Sequence, residues 1–191
     1  MRVIAGALGG RTLVAPRGMS TRPTTDRVRE ALFSALASVH NARVLDVYAG
    51  TGALGIEALS RGASHATFVE NARPALAALR ENLKTLQLEN EARVMGESVQ
   101  RAVHRLLGEF QKSTLQADST PPAFDLVFAD PPYDDVDDAL AALESIAVLF
   151  APQARIILEH ATRRPPRESL VFAVERERTY GDTTLRFLRL L

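Results

Sequence analysis

A chain of 191 residues, 46% of them hydrophobic, is long enough for one domain with a sizeable core. It has no cysteine, which excludes a disulfide scaffold, thiolate zinc sites and a cysteine nucleophile, and fits a reducing cytoplasm. A formal net charge of zero argues, taken alone, against a nucleic-acid binder. In chain order, residues 1–25 stand apart. Short apolar runs (VIAGAL, TLVA) broken by Gly6, Gly9, Gly10, Pro16, Gly18 and Pro23 predict a hairpin or extended arm outside the core. A helix begins near Asp26, with Val28, Leu32, Leu36 and Val39 at helical spacing.

From there strands and helices alternate. RVLDVYA (43–49) is a buried strand, followed by a Gly-rich turn and a helix through Ile56, Leu59 and Ser60. HATFVE (65–70) precedes a helix from Pro74 to Leu86, and ARVMGE (92–97) a helix through Val103, Leu106 and Leu107. The polar stretch 111–123 reads as a loop, FDLVFAD (124–130) as a strand, and 136–149 as a helix. ARIILEHA (154–161) is a fifth strand, and the tail predicts a hairpin turning at Tyr180-Gly181-Asp182. The alternation gives an α/β fold with a parallel sheet. No apolar run approaches the ~20 residues that span a bilayer, and no targeting pattern opens the chain.

Charge is unevenly spread. Residues 1–30 carry +4 and residues 155–191 carry +3, so residues 31–154 carry −7. An acidic centre with basic ends can seat a cationic ligand centrally and a polyanion at the flanks. Arg2, Arg11, Arg17 and Arg22 precede any acid, which suits phosphate contacts. His40, His65, His104 and His160 lack ligand spacing, and no metal is expected.

Two motifs carry chemistry. Gly50, Gly52 and Gly55 form a G-x-G-x-x-G between a strand and a helix, which lets a ligand approach bare amides. Glu70 ends the next strand, where an acid accepts ribose hydroxyls. NAD and S-adenosylmethionine (SAM) both fit that much. Asp46, four residues before Gly50, repels a diphosphate and suits the cationic SAM. A carboxylate capping the following helix is its plainer role. Glu97 and Ser98, ending the third strand, can reach an adenine edge.

The second motif is Asp130-Pro131-Pro132-Tyr133 at the end of the fourth strand. Two prolines stiffen the loop and donate nothing. Their carbonyls and the Asp130 carboxylate form a ring of acceptors, and Tyr133 a stacking plane, for a planar group with an exocyclic –NH2. With a sulfonium methyl adjacent, this predicts direct methyl transfer to nitrogen.

DVYAGTGALGIEALSRGA with FVE and FADPPY resembles class I SAM-dependent amino-methyltransferases. IAGALGGRTLVAP followed by RPTTDRVREALFSAL resembles the RsmD family, which methylates a guanine N2 of bacterial small-subunit rRNA. The resemblance implies a Rossmann-like, mostly parallel seven-stranded sheet. It carries a C-terminal antiparallel hairpin and an N-terminal β-hairpin arm. It divides the chain into an RNA-contacting arm (1–25) and a SAM-dependent methyltransferase domain (26–191). It implies a SAM pocket of Asp46, Tyr48, Gly50, Thr51, Gly52, Glu70, Asn71, Glu97 and Ser98. Asp130, Pro131, Pro132 and Tyr133 would hold the guanine amino group, and Arg2, Arg11, Arg22, Thr24 and Arg27 the RNA. The stretch from Arg22 to Arg29 would lie close to cofactor and RNA alike. The partner would be 16S rRNA or a 30S particle, in the cytoplasm, with no membrane or metal and a monomeric enzyme. Alternatives are an adenine-N6 methyltransferase, a protein-glutamine methyltransferase, a nicotinamide-dependent protein and an RNA-binding assembly factor.

Overall fold

A computed structural model describes residues 1–16, 26–36, 38–115 and 123–191. Seven strands form one sheet: Arg43–Val47 (β1), His65–Val69 (β2), Ala92–Met95 (β3), Phe124–Ala129 (β4), Phe150–Ala161 (β5), Phe172–Tyr180 (β6) and Thr183–Leu190 (β7). Their order is β3-β2-β1-β4-β5-β7-β6. The first five run parallel, and β7 lies antiparallel between β5 and β6. β1 and β4 are buried on both faces because helices cover both, which is why they read as near-continuous apolar runs. The chain steps outward from β1 to β3, then returns to the other side of β1. That reversal opens a crevice at the carboxyl ends of β1 and β4, where open α/β sheets bind ligands. Val47 pairs with Ala129, so Tyr48 and Asp130 are the first residues beyond the paired ends. This is the mostly parallel seven-stranded sheet that the sequence predicts.

Helices Asp26–Ala35 (α1), Ala53–Ser60 (α2) and Arg73–Thr85 (α3) pack on one face. Phe33 there meets Phe128 with ring centroids 5.7 Å apart. Helices Val99–Leu115 (α4) and Val136–Ser145 (α5) cover the other face, against Val127 and Ile156. Three predicted boundaries move. α1 stops at Ala35, yet Leu36 and Val39 remain buried beyond it. The predicted 136–149 helix breaks after Ser145 into a 3-10 turn over Ala147–Leu149, and β5 starts at Phe150. Residues 111–115, expected as loop, continue α4. Gln111 and Lys112 are good helix formers, and the Thr114 hydroxyl bonds back to the Phe110 carbonyl at 2.9 Å. The remainder of that stretch, 116–122, lies outside the described residues, as do 17–25. Among the described residues no helix is long and apolar enough to cross a membrane.

The N-terminal segment corrects the reading that placed it outside the core. Its pairing is a single bridge, Arg2 with Thr12, flanked by Val3 N–H to Arg11 O at 2.9 Å. Val3 and Leu13 are 1% and 3% exposed and belong to the core of α1 and α2. Glu57, fully buried on α2, accepts the Ile4 and Ala5 amides at 2.7 and 3.1 Å. The Ser60 hydroxyl accepts the Leu8 amide at 3.0 Å and donates to Ala5 O. Alternation of small apolar residues with glycines hides two core positions, and the polar partners that fix them lie on another element.

Candidate active site

The crevice is built from strand ends. Beyond β1 the chain turns through Tyr48, Gly50 and Gly52 at φ 63°, 57° and 84°. The left-handed region favours glycine, so Tyr48 is an uncommon occupant. Glu70 cements this turn to the end of β2: one oxygen accepts Gly50 N–H at 2.8 Å, the other Ala72 N–H at 2.6 Å. A carboxylate has about four acceptor positions, so two remain for hydroxyl donors. Asp46, 2% exposed on β1, accepts Gly55 N–H at 2.9 Å in the first turn of α2. The capping role is therefore real. Burial pushes the Asp46 carboxyl from 3.8 up to about 7, and nearby Asp130 and Glu70 add to the rise while the Gly55 amide opposes it. Carboxylates from three strand ends, Asp46, Glu70 and Asp130, thus lie close enough for the other two to raise the proton affinity of Asp46.

A cavity of about 190 Å³ opens beside this turn. Tyr48, Glu70, Asn71, Glu97 and Ser98 line it, five of the nine positions expected to bind cofactor. Asp46 and Thr51 (7% exposed) are buried and are not among its lining residues. Glu97 pairs with two arginines of α4, Arg105 at 3.1 Å and Arg101 at 3.9 Å, yet its buried Oε1 has no hydrogen-bond partner among the described residues. Asp135 and Asp138, which the sequence reading does not single out, also line the cavity. With burial first, these two raise the Tyr48 hydroxyl above its usual range.

The proline motif follows β4. Pro131 is buried, and Asp130 and Tyr133 are half-buried. Pro132, at φ −50° and ψ 143°, accepts Asp135 N–H at 2.9 Å and so starts the 3-10 turn Tyr133–Asp135 that leads into α5. Its carbonyl holds this one bond and keeps a second acceptor position. Arg164, in the loop after β5, pairs with Asp134 beside Tyr133. Among the described residues no group of three His, Asp or Glu is placed to hold a metal.

The family profile described as Conserved hypothetical protein 95 matches residues 1–189. An Escherichia coli protein named Ribosomal RNA small subunit methyltransferase D is 37% identical over 190 residues, 97% of this chain and 88% of that one. The chain belongs to the RsmD family. A Haemophilus influenzae protein of the same name is 33% identical over 193 residues, 97% of this chain and 92% of that one. A solved Escherichia coli methyltransferase candidate superposes with a TM-score of 0.81 at 31% identity, covering 100% of this chain and 97% of that one. The sheet is therefore the Rossmann-like class I methyltransferase fold.

Of the RsmD positions expected to meet RNA, Arg2, Arg11 and Arg27 are exposed, while Arg22 and Thr24 fall outside the described residues. Arg2 pairs loosely with Asp26 at 3.8 Å. Arg29, within the stretch expected near cofactor and RNA, is 0% exposed. It bonds Asp26 at 2.9 Å and the Arg2 carbonyl, and lies 3.9 Å from Glu57. Its position between Val28 and Leu32 on the apolar side of α1 is the signal that could have placed it inside. Asn82 was also missed. It is 1% exposed among Ala78, Leu79 and Leu83 on the buried face of α3, a spacing that marks it as a polar group needing partners.

Proposed function

We propose that this protein transfers a methyl group from SAM to the exocyclic N2 of a guanine in small-subunit ribosomal RNA. The observation that carries the reading is the convergence of Asp46, Glu70 and Asp130 at the ends of β1, β2 and β4. A buried carboxyl held near neutrality by burial and by its acidic neighbours is a seat for a cation and a poor one for a diphosphate. The donor set therefore fits SAM. Glu70 has acceptor capacity left for a ribose, and Tyr48, Asn71 and Ser98 offer walls and polar contacts in the cavity. SAM, when bound, supplies an electrophilic methyl on a sulfonium.

The chain's own groups do the rest. Asp130, with the Pro131 carbonyl, accepts the N–H bonds of the amine and orients its lone pair. As the nitrogen gains positive charge, the Asp130 carboxylate stabilises it. One N–H proton of the methylated nitrogen then passes to water, which restores the neutral amine. Tyr133 supplies the plane against which the base rests. A guanine in structured RNA must be flipped out to reach this loop. The guanine and ribosomal parts of the reading are supported by family membership, and relatives named for small-subunit RNA agree with them.

The test is transfer from labelled SAM to small ribosomal subunits lacking the modification, followed by nucleoside analysis. Label recovered as N2-methylguanosine supports the reading. Label as N6-methyladenosine keeps the pocket and overturns the substrate. No label with SAM bound overturns the substrate class altogether.

A further inference from the structure

We propose that Asn82 is a positioning residue that joins the N-terminal arm to the cofactor turn, so that RNA on the arm and SAM in the pocket tighten each other. The inference rests on the SAM and RNA reading above. Asparagine is a poor choice inside a helix, and a buried amide costs stability unless its hydrogen-bonding capacity is met. Asn82 is 1% exposed and meets that need outside α3. Its Oδ1 accepts the Val14 amide at 2.7 Å. Its Nδ2 donates to the Val14 carbonyl at 3.1 Å and to the Thr51 carbonyl at 3.0 Å. One acceptor and two donors fix which end of the amide is which.

Each partner lies at a functional root. Val14 is the last residue but two before residues 17–25, which carry the expected RNA contacts Arg22 and Thr24. Thr51 sits between Gly50 and Gly52, whose left-handed backbone makes the turn. The neighbouring Gly50 amide is held by Glu70, which lines the cavity. A shift of the arm's root therefore changes the hydrogen bonding of the turn, and a ligand that fixes the turn fixes the root. Coupling of this kind must be reciprocal: each ligand changes the other's affinity by one factor. Position between two sites is not itself proof of coupling, so the test must read the factor.

Calorimetry would measure S-adenosylhomocysteine affinity with and without unmodified small-subunit rRNA, and rRNA affinity with and without S-adenosylhomocysteine. The thioether product cannot react. The wild-type protein is expected to show equal factors in both directions, on the order of tenfold. Asn82→Ala should bring the factor to about one. Val14→Pro deletes the amide that Asn82 accepts, fixes the backbone there and leaves the Thr51 bond available, so it should do the same and decides the matter if Asn82→Ala does not fold. Ser60→Ala loosens the arm at Ala5 and Leu8 without touching this joint, and should keep the factor. A factor of one in the wild type, its survival in both Asn82→Ala and Val14→Pro, or its loss in Ser60→Ala overturns the proposal. Failure of the wild type to bind SAM or its thioether would overturn the functional reading as well. Both ligands bound without reciprocity overturns the joint alone.

Discussion

Asp46 shows how one buried side chain can hold the first turn of a helix, accepting the Gly55 amide at 2.9 Å. Its carboxyl, pushed up to about 7, is ionised in the unfolded chain at a lower pH than in the folded one. An acid raised on folding contributes stability below its unfolded pKa, and that contribution is lost as pH rises through the folded value. Ligand-free protein should therefore lose stability between about pH 4 and pH 7, by up to roughly 4 kcal/mol. Urea melts across that range check this, and Asp46→Asn should flatten the dependence. A bound cation favours the ionised carboxylate, so SAM affinity should rise with pH toward 7 in the wild type and not in Asp46→Asn. In the proposed reaction Asp130 acts at the reacting atoms. Asp130→Ala should lower turnover by about 100- to 1,000-fold, as loss of one preorganised charge-stabilising group does, with SAM affinity little changed. Single-turnover rates and calorimetry separate the two. At this scale the sequence speaks where a residue violates its surroundings. An acid inside an apolar strand announced Asp46. Arg29 and Asn82 violate theirs equally. Arg29 has one partner within its own helix, Asp26, but its others, the Arg2 carbonyl and Glu57, and both partners of Asn82 sit on segments that no local pattern connects to them.

Elements were legible where burial is two-sided, because β1, β4 and β5 had to be apolar runs ending in breakers. They were less so where one apolar stripe suffices, as in the polar end of α4. The arm escaped because docking through Glu57, Ser60 and Asn82 leaves no trace in its own residues. The glycine turn makes a sharper prediction. A Cβ on Gly52 would meet Leu79 Cδ1 at 2.4 Å, at φ 84°. A Cβ on Gly50 would meet nothing within 4 Å, at φ 57°. Gly52→Ala should thus destabilise the fold by more than the ~1–2 kcal/mol of left-handed strain alone, because Leu79 must move. Gly50→Ala should cost only about that strain, and any loss of SAM affinity beyond it would come from filling the ligand's space. Thermal melts paired with SAM titration distinguish these outcomes.

Across the whole molecule, the acidic middle and basic ends predicted from the sequence resolve into places. Asp46, Glu70, Glu97 and Asp130 gather at the carboxyl ends of the strands. Arg2 and Arg11 sit on the arm, on the α1–α2 side, and Arg164 lies in the loop after β5, near α5. A ligand that binds only the folded state stabilises it by mass action. SAM at 100 times its Kd should add about 2.7 kcal/mol, and NAD should add nothing. Differential scanning fluorimetry with both ligands checks this, and stabilisation by NAD alone would refute the cationic seat.

The place of β7 has a consequence for synthesis. It lies between β5 and β6, yet it is translated after both. A nascent chain that has emerged as far as Tyr180 holds two strands that are not neighbours, with the gap between them open. Leu185 and Phe187, which complete one core, and Leu188, which completes the other, arrive only with that inserted strand. Until then the β5 edge is bare and able to pair with another chain. A message cut short ahead of Thr183 would yield aggregating polypeptide, not a weakened enzyme.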